Sequence, residues 1–367
     1  MKLLHTADWQ LGKPFGRFEA DVRGPLTEAR FDAIDSIGKF AQERGVIHVL
    51  VAGDVFDTDG PDDRTIVQAL SRMERHGCRW WLLPGNHDSA RNGGIWDRVR
   101  AKAGAEVTVL TEPNAVEIEP EVWLLSAPLV HRHNLDDPTA SFDTMDTPGA
   151  KLRIGRAHGS IRDFGSKGET KNQIAPDRAK LSNLDYLALG DWHGALRVDA
   201  RTWYSGTPET DSFQRDDPGH ALLVELLQGS EPIVTPLRTG RFSWLMREWR
   251  VDDYDAFDAE CRQLLSSTEP SATLLQLSIT GITSLSDRLE MLAKLENDIA
   301  HQVRFLDVRS DDLVGRPVES DLASLSSEGM LGLAASKLSV KIEEGGNDAA
   351  IARRALEKLF VEFSRGE

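Results

Sequence analysis

An α/β fold is predicted for the first part of this 367-residue chain, from three observations. Short apolar runs alternate with amphipathic stretches of helical period. Several runs are almost continuously apolar, as strands buried on both faces are. Most end at Gly or at a cluster of polar residues, which fits strands feeding loops in a layered βα arrangement. Leu3 to Ala7 is the first such run. Residues 27–44 read as a helix with Phe31, Ile34, Ile37 and Ala41 on one face, ended by Gly45. The run 46–52, bounded by Gly53, is a strand, and 63–76 is a helix that stops at Gly77. Residues 79–83 form another strand, followed by strands at 122–127, 152–157, 184–189 and 221–227.

The pattern changes near Pro236 to Arg241. Beyond it come a strand at 244–251, a helix at 255–266, a strand at 273–279, a helix at 285–301 and a strand at 303–308. Phe257, Cys261, Leu264 and Leu265 share one helix face, and Ser284 with Asp287 can open the second helix as a capping box. Two helices follow, about 320–341 and 348–364, parted by Glu343-Glu344-Gly345-Gly346. Leu356, Leu359, Phe360 and Phe363 lie at helical spacing on the last. The expected division is 1–238, a larger α/β domain; 242–315, a small α+β domain; and 318–367, a helical tail.

Composition sets limits. Hydrophobic content of 40% and charged content of 28% are those of an ordinary globular protein. No apolar run reaches the roughly 18 residues of a membrane span, and the opening Met1-Lys2-Leu3-Leu4-His5-Thr6 does not read as a signal peptide. Cys78 and Cys261 stand far apart in apolar patterns, which argues against a disulfide or a thiolate zinc site and fits a reducing cytoplasm. A net charge of −16 argues against gripping nucleic acid by bulk charge, though not against a local basic groove. Arg132, Arg153 and Arg156 are scattered and form no basic cluster.

Five polar clusters each follow a predicted strand: Asp8-Trp9-Gln10, Gly53-Asp54-Val55-Phe56-Asp57, Gly85-Asn86-His87-Asp88, Ala157-His158-Gly159 and Gly190-Asp191-Trp192-His193-Gly194. In open α/β sheets ligands gather at the carboxyl ends of strands, so these loops can converge. Asp, Asn, Gln and His together suit divalent metals held through oxygen and imidazole. Alone, each cluster has a plainer reading as a strand-ending turn, and His158 as a structural histidine. His131 and His133 read as solvated loop residues, His5 as a structural residue beneath the site, and Trp9 and Trp192 as packing beside it.

These five clusters resemble the motifs of the calcineurin-like metallophosphoesterases, most closely the SbcD-like DNA repair exonuclease branch. The opening His5-Thr6-Ala7-Asp8-Trp9-Gln10-Leu11-Gly12 matches that branch except at Gln10, and Tyr204-Ser205-Gly206-Thr207-Pro208-Glu209 resembles the segment closing the catalytic domain. The resemblance implies a four-layer αββα sandwich with a small α+β capping domain and a helical C-terminal tail. It implies two divalent ions bridged by Asp54, one taking Asp8, Gln10 and His193, the other Asn86, His158 and Asp191. His87 would stabilise charge at the phosphate or protonate the leaving oxygen, with Asp57 orienting its ring. Two cations about 3.5–4 Å apart can bind a phosphodiester and lower the pKa of a bridging water.

The chain departs from the family pattern at Gln10 and Asp191, where His is usual. Each swap trades an imidazole for an oxygen ligand, so the site is harder and more anionic, favouring Mn²⁺ or Mg²⁺ over Zn²⁺, with Fe²⁺ also accommodated. Both replacements still ligate, which fits a retuned site rather than a dead one. The leading expectation is a DNA exonuclease with some endonuclease activity, its tail docking on an SbcC-like coiled-coil ATPase, with a homodimer open and no membrane partner. The alternatives are a phosphodiesterase or phosphatase on a small nucleotide or other ester, and a non-catalytic scaffold.

Overall fold

The computed structural model describes residues 1–162, 171–214, 217–316, 318, 321 and 329–366. The chain divides into two compact units, Met1–Ser243 and Trp244–Glu367.

The first unit runs β1 (Lys2–Thr6), α1 (Ala20–Arg44), β2 (His48–Val51), α2 (Asp63–Glu74), β3 (Arg79–Leu82), α3 (Ile95–Arg100), β4 (Val107–Val109), β5 (Asn114–Glu119) and β6 (Val122–Ala127). A 3₁₀ turn (Pro138–Thr144) leads to β7 (Leu152–His158), β8 (Ser160–Ile161), β9 (Gln173–Ile174), α4 (Arg178–Leu181), β10 (Tyr186–Gly190), β11 (Leu196–Arg197), β12 (Thr202–Tyr204), β13 (His220–Glu225) and β14 (Ile233–Arg238). One sheet has the order β14-β13-β1-β2-β3-β4, the other β11-β12-β10-β7-β6-β5. Strands β1 to β4 are mutually parallel, as are β6, β7, β10 and β12.

Strand alternation builds the layers. Leu4, Val49, Val51, Trp80 and Leu82 face α1 and α2, where Phe31, Ile34, Ile37, Ala69 and Met73 meet them. Their neighbours Leu3, Leu50 and Trp81 point the other way, onto Leu124, Ile154, Tyr186 and Ala188 of the second sheet. The outer face of that sheet, with Leu125, Ala157, Leu187 and Leu189, is covered by Phe142, Ile174, Ala179 and Leu184 from the 3₁₀ turn, β9, α4 and the residues after it. Four layers result. A buried cation ties the middle two: Arg156 on β7 donates to Ser126 Oγ at 2.9 Å, to the Leu82 carbonyl at 3.2 Å, and to that of Trp81. Burial depresses its pKa to about 9.

In the second unit, β15 (Ser243–Arg250), β16 (Thr273–Ser284), β17 (Phe305–Arg309) and β18 (Leu313–Arg316) form one sheet, with β17 and β18 both pairing β16. Helices α5 (Tyr254–Ser267) and α6 (Leu285–Lys294) cover it, burying Phe257, Cys261, Leu264 and Met291 against Leu275 and Leu277. Ser284 Oγ caps α6 by accepting from Asp287 N at 3.0 Å. The predicted helix 285–301 forms and runs to Gln302, with a π-helical turn at Leu295–Ile299 between α6 and α7 (Ala300–Gln302). Two tail helices, α8 (Met330–Glu344) and α9 (Asn347–Gly366), pack so that Leu285, Ala335 and Leu356 are buried together. Most of 320–328, where the first tail helix is predicted to begin, and the side chains of Phe360 and Phe363 lie outside the described residues. Among the described residues no helix is long and apolar enough to cross a membrane.

Candidate metal centre

All five polar clusters lie at the carboxyl ends of parallel strands, three in one sheet and two in the other. The loops after β1 and β2 are zipped together: Asp8 N donates to Gly53 O at 3.1 Å, Gln10 N to Asp54 O at 2.9 Å and Asp57 N to Leu11 O at 3.0 Å. This pairing holds Asp8, Gln10 and Asp54 at φ of 56°, 43° and 52°, and Asp191 stands at 105°. Left-handed backbone at non-glycine residues is uncommon, and here it turns acceptor side chains inward. Two glycines allow the close approach. A Cβ at Gly85 would lie 2.2 Å from Asp54 Oδ1, and one at Gly53 would lie 2.2 Å from His158 Nδ1.

Ligating atoms of Asp8, Asp54 and His158 lie within 4.8 Å of one another, and all three residues are buried. His158 Nδ1 donates to the Ala52 carbonyl at 2.9 Å, which turns Nε2 into the cluster, 3.5 Å from Asp54 Oδ1 and 3.8 Å from Asp191 Oδ1. The Asn86 amide meets His158 Nε2 at 2.7 Å; turned over, its nitrogen would donate to both Asp54 oxygens. Asp191 N donates to Asp8 at 3.1 Å, and Ser160 Oγ donates to the Asp191 carboxylate. On the other side, Gln10 Nε2 faces His193 Nε2 at 3.4 Å, and His193 Nδ1 faces Asp211 at 3.6 Å.

The crowding of carboxylates shows in the titration of the group. Burial pushes Asp8 up to about 6, held back by His193 and His158. Burial would lower His158, but Asp54, Asp8 and Asp191 overrule it and hold the imidazole at about 9. Buried carboxylates and a cationic imidazole of this arrangement fit a divalent cation, which would displace the proton from His158.

His87 sits at the rim with its N–H on Asp54 Oδ1 at 2.9 Å and Nε2 at 4.0 Å from Asp54 Oδ2. Its ring is oriented by Asp57, through the backbone carbonyl at 2.8 Å from Nδ1 rather than through the carboxylate. The tight turn from β2 presents that carbonyl, not the side chain, to the ring. Trp9 is buried, donating to Thr6 Oγ1 at 2.9 Å and meeting Trp80 edge-on, whereas Trp192 is 38% exposed. His5 is fully buried beneath the site, and His131 and His133 are exposed.

Three contributors have no role in the motif reading. Asp88 accepts from Gly85 N at 2.7 Å and Phe56 N at 3.0 Å, fastening the two ligand loops, and burial followed by Asp54 raises it to about 8. Asp211 pairs with Lys13 and lies 3.6 Å from both His193 and Arg30; burial would raise its carboxyl, and these cations hold it well below the usual range. Ser160 supports Asp191. Asp88 stands in the third cluster without a role of its own there, and Asp211 carries a trace two residues after the segment ending at Glu209.

Acidic, amide and imidazole groups gathered at the strand ends of a two-sheet sandwich define a metal-binding hydrolase fold. Residues 1–224 match the calcineurin-like phosphoesterase family, and the chain belongs to it. Family membership and the clustered ligands support metal-dependent phosphoester hydrolysis. The chain is distantly related to known nucleases. It is 38% identical over 93 residues to the SbcD component of the nuclease SbcCD of Escherichia coli strain K12, covering 24% of this chain and 22% of that one. It is 29% identical over 234 residues to the DNA double-strand break repair protein Mre11 of Haloferax volcanii, covering 61% and 49%. With the SbcD component of the nuclease SbcCD of Rhodobacter capsulatus the figures are 26% over 290 residues, 65% and 69%. The matches thus span less than half the length of the first two relatives.

Proposed function

We propose that this chain is a dinuclear phosphodiester hydrolase acting on DNA, an exonuclease with endonuclease activity of the SbcD-like type. The observation that carries the reading is the buried meeting of Asp8, Asp54 and His158 within 4.8 Å, in a chain several of whose relatives are named as nuclease subunits or DNA repair proteins. In this reading Asp54 would be shared by two ions, one of which Asp8, Gln10 and His193 would hold and the other Asn86, His158 and Asp191. Mn²⁺ suits the oxygen-rich set, ahead of Mg²⁺, Fe²⁺ and Zn²⁺. Bound cations would neutralise the phosphodiester and acidify a water between them. His87 holds a proton at the rim, its Nδ1 engaged by the Asp57 carbonyl at 2.8 Å, leaving Nε2 for the leaving oxygen.

The region 242–315 orients DNA as a capping domain, and 318–367 docks on an SbcC-like coiled-coil ATPase in the cytoplasm, with self-association as a homodimer. Exposed Met330, Leu333, Val340 and Ile351 on the tail helices support a docking role. Incubation with Mn²⁺ and labelled duplex or single-stranded DNA tests the reading: cleavage by wild type and its loss in His87→Ala are expected, and equal cleavage by both would refute it. The net charge of −16 favours the second reading, a small phosphoester substrate. Turnover of bis(p-nitrophenyl) phosphate or a cyclic nucleotide without DNA cleavage would select it.

A further inference from the structure

The half of the centre around Gln10 and His193 differs from the half around His158 in having a lysine tied into its amide ligand. Lys13 Nζ donates to Gln10 Oε1 at 3.2 Å and is ion-paired with Asp211. Gln10 Nε2 faces His193 Nε2 at 3.4 Å, and His193 Nδ1 faces Asp211 Oδ1 at 3.6 Å. With its proton on Nδ1, toward the Asp211 carboxylate, His193 presents a lone pair at Nε2 that accepts from the Gln10 amide. Four side chains thus stand in a ring of contacts, Lys13 to Gln10 to His193 to Asp211 and back to Lys13, in which His193 and Asp211 meet at ion-pair distance, 3.6 Å. Arg30 Nη2, 3.6 Å from Asp211 Oδ2, anchors the ring from behind.

A cation held between Gln10 and His193 needs the atoms the ring consumes. The free nitrogen of His193 is its ligating atom, and an amide ligates through oxygen, not nitrogen. The Gln10 amide must therefore turn over, which would set its nitrogen against Lys13 Nζ, donor to donor, unless Lys13 withdraws onto Asp211. The other half carries no lysine, and the Asn86 amide oxygen already meets His158 Nε2, at 2.7 Å, so no amide has to turn. His158 Nδ1 is tied to the Ala52 carbonyl at 2.9 Å, and Nε2 already faces the carboxylates of Asp54 and Asp191.

We propose that Lys13 latches the Gln10–His193 half shut, so that one divalent cation binds readily at Asp8, Asp54 and His158 while the second, at Gln10 and His193, binds much more weakly. The inference rests on the dinuclear reading above and adds an order of loading to it. Lys13 is a positioning residue that acts through Gln10, and the latch exists because residue 10 is an amide.

Titration of the metal-free chain with Mn²⁺, followed by calorimetry and by electron paramagnetic resonance of the free ion, reads both affinities without any turnover. Wild type is expected to show two events whose Kd values differ at least roughly tenfold, the effect of one charge-assisted hydrogen bond. Lys13→Met and Lys13→Gln should each tighten the second event by about that factor and leave the first within about twofold. The difference should persist at about 0.5 M salt, where a through-space charge effect is screened. Equal affinities in wild type, a second event no tighter in either variant, or a difference that vanishes in salt would overturn the latch alone. A wild-type chain that binds no Mn²⁺ would overturn the dinuclear reading and the latch with it.

Discussion

An added methyl at Gly85 would lie 2.2 Å from Asp54 Oδ1 and 2.5 Å from the Asp54 backbone nitrogen. Those distances fall at least about 1 Å short of normal non-bonded contact. Neither atom is the loose end of a flexible side chain, since Oδ1 accepts from His87 N at 2.9 Å. Gly85 N is itself fastened to Asp88 Oδ1 at 2.7 Å. Gly85→Ala must therefore spread the loops after β2 and β3, at a cost of roughly 1–3 kcal/mol for overpacking. For a unit of this size each kcal/mol moves the melting temperature by roughly 2–4 °C, so a fall of about 2–12 °C is expected in chelator. The same displacement moves Asp54 away from His158, so the variant should also lose most of its stabilisation by Mn²⁺. Gly24, inside α1 with nothing within 4 Å of an added Cβ, is the control. Gly24→Ala should change stability by less than about 1 kcal/mol, its helix-propensity gain being opposed by the crowding that a Cβ in α conformation meets before Pro25. Calorimetric melting of the three proteins, with chelator and with Mn²⁺, provides the comparison. A Gly85→Ala protein that melts with wild type in chelator and keeps the full Mn²⁺ shift would refute the close-approach argument.

Three more outcomes follow from the site. Mn²⁺ at about a hundred times its Kd should stabilise wild type by about 2.7 kcal/mol, visible as a rise in melting temperature that Asp54→Asn abolishes and excess chelator reverses. Because the Asp57 carbonyl, not its carboxylate, orients His87, Asp57→Ala should reduce cleavage of labelled DNA, whose alkoxide leaving group needs a proton, far less than His87→Ala, for which a loss of roughly 10²–10⁴ is expected; equal losses would contradict the assignment. Burial lowers His5 to about 3, so the folded state refuses a proton that the unfolded chain accepts below its ordinary value near 6.5. Stability through His5 is thus complete above that value and lost as pH falls. Between about pH 7.5 and about pH 5.5 the loss is about 1.4 kcal/mol, which urea denaturation should find missing from the pH dependence of His5→Gln.

The loops that carry the centre were legible because a buried strand announces its end: the apolar run 46–52 stops at Gly53, and 79–83 stops before Gly85. Elements without such a contrast were not. Strand β4 has three residues, β5 reads Asn-Ala-Val-Glu-Ile-Glu with few apolar positions, and β14 contains Pro236, tolerated because β14 is an edge strand. Helix α1 begins at Ala20 rather than 27, since Pro25 forfeits one bond near the start of a 25-residue helix without ending it. Within the centre, each motif residue came with its strand, whereas Asp211, Arg30 and Ser160 act through a neighbour. Arg30 reads in sequence as one more helical cation, yet it is buried, with Nε donating to the Trp9 carbonyl at 2.7 Å.

Four of the eight non-glycine residues with positive φ among the described residues are Asp8, Gln10, Asp54 and Asp191. Glycine would adopt these angles freely but brings no ligand, and a ligand held there costs on the order of 1–3 kcal/mol. That strain persists only where the surroundings over-determine it. Here the surroundings are the zipped loops after β1 and β2 and the N–H of Asp191 on Asp8, which joins one sheet to the other. The carboxylates so gathered repel one another, and His158 and His193 offset part of that repulsion. Strain and repulsion both oppose the bare centre, and both are opposed by the core between the sheets, where Leu3, Leu50, Trp81 and Tyr186 are buried. A cation binding between Asp54 and His158 would bridge the two sheets where Asp8 and Asp54 of one face Asp191 of the other.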